Sequence, residues 1–301
     1  MKQILLFLFF SFSLSAQVKG VVLDSILGKP ISYANIWVEN ENIGTTSEEN
    51  GTFSLDLKEE KKIVFSALGY EMKTLKSTEL DTIFLIAKVY ALNEIVVTSP
   101  ESTKQIKVGN YESSGFRWQL NANYNAVYIK STEETKKHPY LKEIKFHTIS
   151  EIKNAKVRIR IVECNSDSTL GNDIIDEEIL VEVKKGSKSN IKDVASLKIR
   201  IPENGFYIVF EKLLIEENKY CWERSYKDNS GDKKVLKTCS YQPNLAYIPS
   251  EENNVLYAYN SLNWKKQDKI ILQRPKSYEN LLMRKYHDKY LVPSIEIKLT
   301  N

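Results

Sequence analysis

Beyond residue 16 the apolar residues of this chain hold no sustained helical period; they alternate, in runs of about five, between clusters of turn residues. Val18 to Leu23, Ala34 to Val38, Thr52 to Leu57, Ile63 to Ala67, Thr82 to Ile86 and Glu94 to Thr98 all read this way. Period two over so short a run sends one face of an extended segment into a core and leaves the other to solvent. Such runs build antiparallel sheets packed face to face. Gly28-Lys29-Pro30 and Leu68-Gly69-Tyr70 punctuate the strand ends. Asn50-Gly51 supplies the positive φ angles of a tight hairpin turn between Gly44-Thr45-Thr46 and Thr52-Phe53-Ser54-Leu55.

From Pro100 to Glu112, with Gly109 and scattered Ser, Thr and Lys, the pattern lapses, and residues 100–112 read as a linker. The strand grammar then returns on a larger scale: Phe116 to Leu120, Ala126 to Ser131, Leu141 to Thr148, Ala155 to Glu163, Ile174 to Val183, Leu197 to Ile201, Phe206 to Ile215, Tyr220 to Tyr226, Lys234 to Ser240, Val255 to Asn260 and Ile295 to Thr300. In one of these, Val157, Ile159 and Ile161 alternate with Arg158, Arg160 and Val162, the pattern of a sheet with one wet face. About ten strands over residues 113–301 predict an all-β, jelly-roll-like antiparallel sandwich, with only Tyr278 to Tyr290 left for a helix of any length. A chain of 301 residues is long for one domain, and the lapse divides it into 17–99 and 113–301.

Residues 1–16 stand apart. Lys2 precedes an apolar stretch from Ile4 to Phe10, and Ser11, Ser13, Ser15 and Ala16 close it, as in a secretory signal cleaved next to Gln17. The stretch is shorter than the roughly 20 residues that cross a bilayer, and no later segment comes closer. No cysteine lies near the exit to carry a lipid. The expectation is an exported protein of the periplasm or outer-membrane surface, with no transmembrane segment after signal removal.

The ordered succession Val18-Lys19-Gly20-Val21-Val22, Gly28-Lys29-Pro30-Ile31, Ala34-Asn35-Ile36, Gly44-Thr45-Thr46-Ser47, Asn50-Gly51-Thr52-Phe53, Leu68-Gly69-Tyr70-Glu71 and Leu92-Asn93-Glu94-Ile95-Val96-Val97-Thr98 resembles the carboxypeptidase-regulatory-like domain. That family is a prealbumin-like, seven-stranded sandwich common in Gram-negative envelopes, where it often precedes the plug of TonB-dependent receptors. The resemblance implies a small seven-stranded sandwich over residues 17–99 and an envelope setting; it implies no activity. Glu48-Glu49-Asn50 departs from the family's pattern before the turn glycine, which puts a cation site there in doubt. Residues 113–301 resemble, diffusely, the second half of envelope proteins that carry such a domain. They are too few for a plug and a receptor barrel, so Glu94-Ile95-Val96-Val97-Thr98 reads as the last strand of the sandwich rather than a coupling box.

Lys and Arg total 43 against 39 Asp and Glu, a formal +4 spread along the chain, so nucleic acid is not an expected partner. His138, His147 and His287 all lack a Glu at the spacing of a zinc peptidase, and His147, inside the alternating Ile144 to Thr148, reads as a strand histidine. The sequence contains no Gly-x-Ser-x-Gly elbow, phosphate loop or Cys-x-x-Cys. No catalytic, cofactor-binding or metal-binding residue is therefore named, and no cofactor is expected. Tyr247, Tyr257, Tyr259 and Trp264 fall near loop ends and are candidates for stacking on sugar rings, although with 17 tyrosines some cluster by chance. Lys136-Lys137, Lys184-Lys185, Lys233-Lys234 and Lys265-Lys266 read as solvated strand edges. Asp24-Ser25-Ile26, Asp81-Thr82-Ile83 and Asp167-Ser168-Thr169 look like short acceptor motifs for O-glycans, which also arise readily by chance.

A hairpin centred on Ser230, in the turn Asp228-Asn229-Ser230-Gly231-Asp232, would set Cys221 opposite Cys239 and Glu223 opposite Lys237. In that register the two cysteines are within reach of a disulfide and an exported chain meets an oxidising compartment; in another they are two reduced thiols on a core face, and both readings stand. Cys164 would be the free thiol. The expected function is that of a non-catalytic binding or accessory protein of the bacterial envelope, its partner an envelope protein or a glycan. The alternatives are an interaction subunit of an outer-membrane transport or secretion assembly, and a glycoside hydrolase built from carboxylates, whose separation in space a sequence does not reveal.

Overall fold

The computed structural model describes residues 16–88, 104–113, 122–260, 262–273 and 283–301. Residues 1–15 of the expected signal, the strands at Glu94 to Thr98 and Phe116 to Leu120, and residues 278–282 of the stretch proposed for a helix lie outside these residues. The first seven strands are β1 (Ala16–Asp24), β2 (Asn35–Val38), β3 (Gly44–Thr46), β4 (Thr52–Leu57), β5 (Lys62–Ser66), β6 (Lys73–Lys76) and β7 (Thr82–Leu85). They form a three-on-four sandwich, with sheets ordered β4-β1-β7 and β3-β2-β5-β6. Its logic is plain in β4, where Phe53, Leu55 and Leu57 are buried while Thr52, Ser54 and Asp56 face solvent. The buried residues meet Ile36, Ile63 and Phe65 of the facing sheet in one core.

The turn at Asn50-Gly51 differs from the expected hairpin. Gly51 has φ +76°, and a Cβ there would lie 2.7 Å from the Val22 carbonyl oxygen, so the position requires glycine. Yet β3 pairs with β2, and β4 with β1, so the turn carries the chain from one sheet to the other. Buried Ser47 is the reason: its hydroxyl accepts from the Ala34 N–H and donates to the Ile31 carbonyl. These bonds anchor the chain at the start of β2 just before it turns away.

The second sandwich contains β8 (Gln105–Asn110), β9 (Tyr124–Ile129), the one-turn helix α1 (Glu133–Lys136), β10 (Tyr140–Ser150), β11 (Ala155–Cys164), β12 (Leu170–Asp173), β13 (Ile179–Val183), β14 (Gly186–Asp193) and β15 (Phe206–Lys212). It continues with β16 (Lys219–Lys227), β17 (Lys233–Tyr241), β18 (Asn244–Leu245), β19 (Tyr247–Ser250), β20 (Val255–Ala258), β21 (Lys265–Lys266), β22 (Tyr290–Pro293) and β23 (Ile295–Thr300). One sheet runs β14-β10-β23-β8 with β18 on β10; the other runs β12-β11-β15-β9-β20-β21 with β13 on β11. Ile144, Phe146 and Ile297 of the first pack against Ile159, Ile208 and Phe210 of the second. β19 pairs with β22, and β16 pairs only with β17 among the described strands.

Several elements depart from the sequence reading. Residues 100–112 are not simply a linker, because β8 lies among them and pairs antiparallel with β23 along its whole length. Its two apolar residues, Ile106 and Val108, are too few to announce a strand, yet both pack on the core. β14 was not foreseen because Ile191 is its one apolar residue and that side chain is exposed; the strand is an edge held by backbone pairing to β10. Leu197 to Ile201 is a 3-10 turn (Ala195–Leu197) followed by Lys198 in the left-handed region, since neighbouring Val194 and Ile199 are buried from an irregular segment. The described part of Tyr278 to Tyr290 holds a 3-10 turn (Arg284–Tyr286) and then enters β22.

Candidate functional site

The face of β11 that carries Arg158, Arg160 and Val162 is not wet. Arg158 is 2% exposed and Val162 1%: Arg158 lies against Tyr33 of the first domain, and Val162 packs with Tyr207, Val209 and Leu170 of its own sheet. The pairing register sets Arg158 opposite Glu211 of β15. Glu211 is fully buried and accepts from Arg158 Nε at 2.5 Å and from Arg160 Nη1 at 2.9 Å. Arg160 also grips Asp173 with a two-pronged contact, both distances 2.7 Å. Burial alone would push the Glu211 carboxyl up, but the two guanidiniums hold it below the ordinary carboxylate range. A second nitrogen bond from Arg158, at 2.8 Å, reaches the Tyr33 carbonyl of the first domain, where Tyr33 sits at φ +55°.

Around this charged centre the two sandwiches interlock. Trp37 of β2 is buried and donates its indole N–H to the Tyr124 hydroxyl at 3.0 Å, in a cluster with Leu214 and Ala258. Gly44 makes room for it: a Cβ there would fall 2.2 Å from the Trp37 ring. The Leu214 N–H donates to the Thr46 hydroxyl and Thr45 returns a bond to the Leu214 carbonyl. At the rim, Lys156 reaches Glu217 at 2.8 Å and Glu49 of the first domain at 3.6 Å. The sequence carried one signal of this arrangement, a lone Glu211 inside the apolar run Phe206 to Ile215, where a buried acid demands a cation.

The contrasting element is the β16–β17 ribbon, most of whose residues are exposed. Its register sets Cys221 opposite Cys239 and Glu223 opposite Lys237, and a disulfide joins the two cysteines. Buried Cys164 is a free thiol. One face of the ribbon carries Tyr220, Trp222, Arg224 and Tyr226, with Tyr220 and Trp222 stacked at 5.7 Å and Tyr226 half exposed. This concentration of Tyr, Trp and Arg lies at every second residue of one strand, so period-two alternation alone brings it to a single face.

The four aromatic candidates do not form one platform. Tyr247 is a core residue whose hydroxyl donates to Asn125 Oδ1 at 2.9 Å. Trp264 lies edge-on to Tyr124, on the side of β20 occupied by Leu256 and Ala258. Tyr257 takes the opposite face of that strand, at 6.1 Å from Tyr259. Period-two alternation therefore sends the set to two sides of a sheet. His147 is buried, with Nε2 at 2.7 Å from the Ser187 hydroxyl and Nδ1 at 3.3 Å from that of Tyr111; burial holds its imidazole below the usual value.

One further cation is unusual. Lys212, at the end of β15, borders a cavity of about 20 Å³, room for one water, together with Asn123, Asn125 and Tyr247. Its ammonium donates to Asn244 Oδ1 at 3.0 Å and no carboxylate pairs with it among the described residues. Desolvation lowers its pKa to about 8. Among the described residues no group of three or more His, Cys, Asp or Glu is placed to hold a metal ion, and no helix is long and apolar enough to cross a membrane.

Residues 18–97 match the family model of the CarboxypepD_reg-like domain, and the three-on-four sandwich of β1 to β7 is this prealbumin-like domain. A stretch of 87 residues, 29% of the chain, is 34% identical to the TonB-dependent receptor SusC of Bacteroides thetaiotaomicron. That stretch spans 9% of the receptor's length, so the likeness is one of domain to domain.

Proposed function

We propose that this chain is a non-catalytic binding protein of the bacterial envelope, in which the CarboxypepD_reg-like sandwich and the second sandwich act as one base and the β16–β17 ribbon is what that base presents to a partner. The observation that carries the reading is the contrast between the two regions. The interface buries its charges and saturates them, whereas the ribbon leaves Tyr226, Arg224 and Lys side chains exposed, with Tyr220 and Trp222 half-buried beside them, on an element with no other strand partner among the described residues. The expected signal over residues 1–16 and the likeness of the first domain to part of a TonB-dependent receptor favour an envelope setting.

A carboxylate-based hydrolase is disfavoured by the same chemistry. A general-acid carboxyl needs its pKa raised, and fully buried Glu211 is displaced in the opposite direction by two arginines. A glycan is a weaker partner than a protein, since Tyr247 and Trp264 are spent on packing. Cross-linking in intact envelopes tests the reading: the whole chain should capture a discrete protein partner, and a chain with Cys221 to Cys239 replaced by a short Gly-Ser turn should not. Glycoside hydrolysis by the purified protein, abolished by a single Glu-to-Gln change, overturns it. Intact-mass analysis of envelope-derived protein should give a chain starting at or next to Gln17, and retention of residues 1–16 overturns the export it assumes.

A further inference from the structure

Resting on the reading of the ribbon as the presented element, we infer that the outer edge of β17 receives an extended acidic segment of another protein by strand addition. β16 and β17 pair with each other and with no other described strand, so each keeps one edge of backbone groups without a ladder partner. The register identifies those groups. The Cα atoms of Cys221 and Cys239 are 4.0 Å apart, the spacing of a non-hydrogen-bonded pair. Seven residues further along β16, an odd number of alternations, Asp228 N–H donates to the Asp232 carbonyl at 3.0 Å, the hydrogen-bonded pair that closes the turn. The N–H and C=O groups of Lys233, Val235 and Lys237 therefore point outward from β17, and those of Glu223, Ser225 and Lys227 outward from β16.

The two edges differ in chemistry. β17 runs Lys233-Lys234-Val235-Leu236-Lys237 without an acid, whereas β16 has Glu223 among its outward-facing residues. Val235 is 58% and Leu236 54% exposed, on opposite faces, so an added strand would cover apolar surface on both sides. Its carboxylates would meet Lys233 and Lys237; Lys234, on the other face, already contacts Asp228 at 3.6 Å. A second copy of the same edge would set lysine against lysine, which disfavours self-association and leaves an acidic partner as the complementary one. The Cys221–Cys239 bridge holds the strand extended before the partner arrives, reducing what binding must order.

The probe is a capped octapeptide of alternating glutamate and valine, added to the intact oxidised protein at low ionic strength and followed by fluorescence anisotropy and amide hydrogen exchange. Exchange at Val235 and Lys237 should slow by roughly tenfold or more at saturation, and the double charge reversal Lys233→Glu/Lys237→Glu should weaken binding by roughly tenfold or more. Val235→Pro is the sharper variant: it deletes one outward N–H and no bond of the ribbon's own ladder, so binding should vanish while thiol counting and the exchange of the other ribbon amides stay as before. Absence of peptide binding at millimolar concentration overturns the inference, as do protection confined to β16, equal binding of a lysine-valine peptide, or undiminished binding by Val235→Pro. Binding of anionic phospholipid vesicles that the peptide does not displace also overturns it. Because partner capture by cross-linking depends on the whole ribbon, its persistence alongside a silent peptide assay would leave the broader function standing while removing this mode of recognition.

Discussion

Two acid–base pairs face each other across antiparallel ladders of this molecule and behave in opposite ways. Arg158 opposes Glu211 across β11 and β15, and Lys237 opposes Glu223 across β17 and β16. The first pair is sealed and closes to 2.5 Å, with a second arginine on the same carboxylate. The second pair is exposed on both sides and forms no ion pair. Ladder position supplies the opportunity for contact in both cases. What covers the face decides whether the contact matters, because removing water multiplies both the attraction and the cost of losing a partner. The interface is accordingly specified by buried charge and the ribbon by a covalent bond.

The largest effect should come from orphaning the buried arginines. Glu211→Ala leaves Arg158 and Arg160 without their shared carboxylate and is expected to lower stability by about 3 to 5 kcal/mol, read as a shift of the denaturant midpoint at unchanged slope. A loss below about 1 kcal/mol would mean that the interface is solvated in solution, and the comparison would fail. Next comes the covalent element. Cys221→Ser with Cys239→Ser removes a cross-link worth about 3 kcal/mol in chain-entropy terms. Its effect should stay in the ribbon: amides of β16 and β17 should exchange rapidly while the unfolding of the two sandwiches is little changed, since an isolated hairpin is marginal in water. Unfolded, unreduced protein should show one thiol, Cys164; three thiols would remove the bridge from the account.

How much of this was legible follows the same division. Most strands of the first sandwich are readable because period-two alternation reports a buried face directly, as in Phe53, Leu55 and Leu57, whereas β6, with Leu75 its one apolar residue and none of its residues fully buried, is not. The cover over Arg158 was not, because alternation separates two faces without saying what lies on either; a sheet face covered by another domain reads like one facing water. Strands β8 and β14 were missed since backbone pairing, not apolar content, holds an edge. The ribbon's register was legible from the symmetry of its turn about Ser230, and its aromatic face from the alternation Tyr220, Trp222, Arg224 and Tyr226 along one strand. Residue type and proximity in sequence nominate the stacking candidates, but the facing rule separates Tyr257 from Trp264.

Lys212 sharpens the comparison as a half-buried cation lacking, among the described residues, the acid that Arg158 has. Its pKa of about 8 lies below the ordinary lysine value of 10.5, so the folded state binds fewer protons than the unfolded state between those two values. Stability contributed through this group is therefore complete above about pH 10.5, falls as pH drops toward 8 and is lost below that, a change of about 3 kcal/mol. Lys212→Met should flatten that part of the stability–pH curve, seen as the difference between the variant and the parent measured across pH 7 to about 10. Parallel curves would show that the ammonium stays hydrated, through the small cavity beside it.

The smallest expected effect concerns the exposed pair. Glu223 and Lys237 occupy facing positions, but each is solvated, and holding two long side chains together costs conformational freedom comparable to the screened attraction gained. Glu223→Gln, Lys237→Met and the double change should define a coupling energy within about 0.5 kcal/mol, disappearing at high salt. The corresponding cycle on Arg158 and Glu211 should give a coupling several-fold larger and insensitive to salt, since no ions reach it. Local unfolding of the ribbon, followed by amide exchange with the disulfide intact, is the suitable readout for the first cycle and global unfolding for the second. A salt-resistant coupling above about 1 kcal/mol between Glu223 and Lys237 would show that something shields the ribbon face in solution, and that the edge of β17 is occupied before any acidic partner arrives.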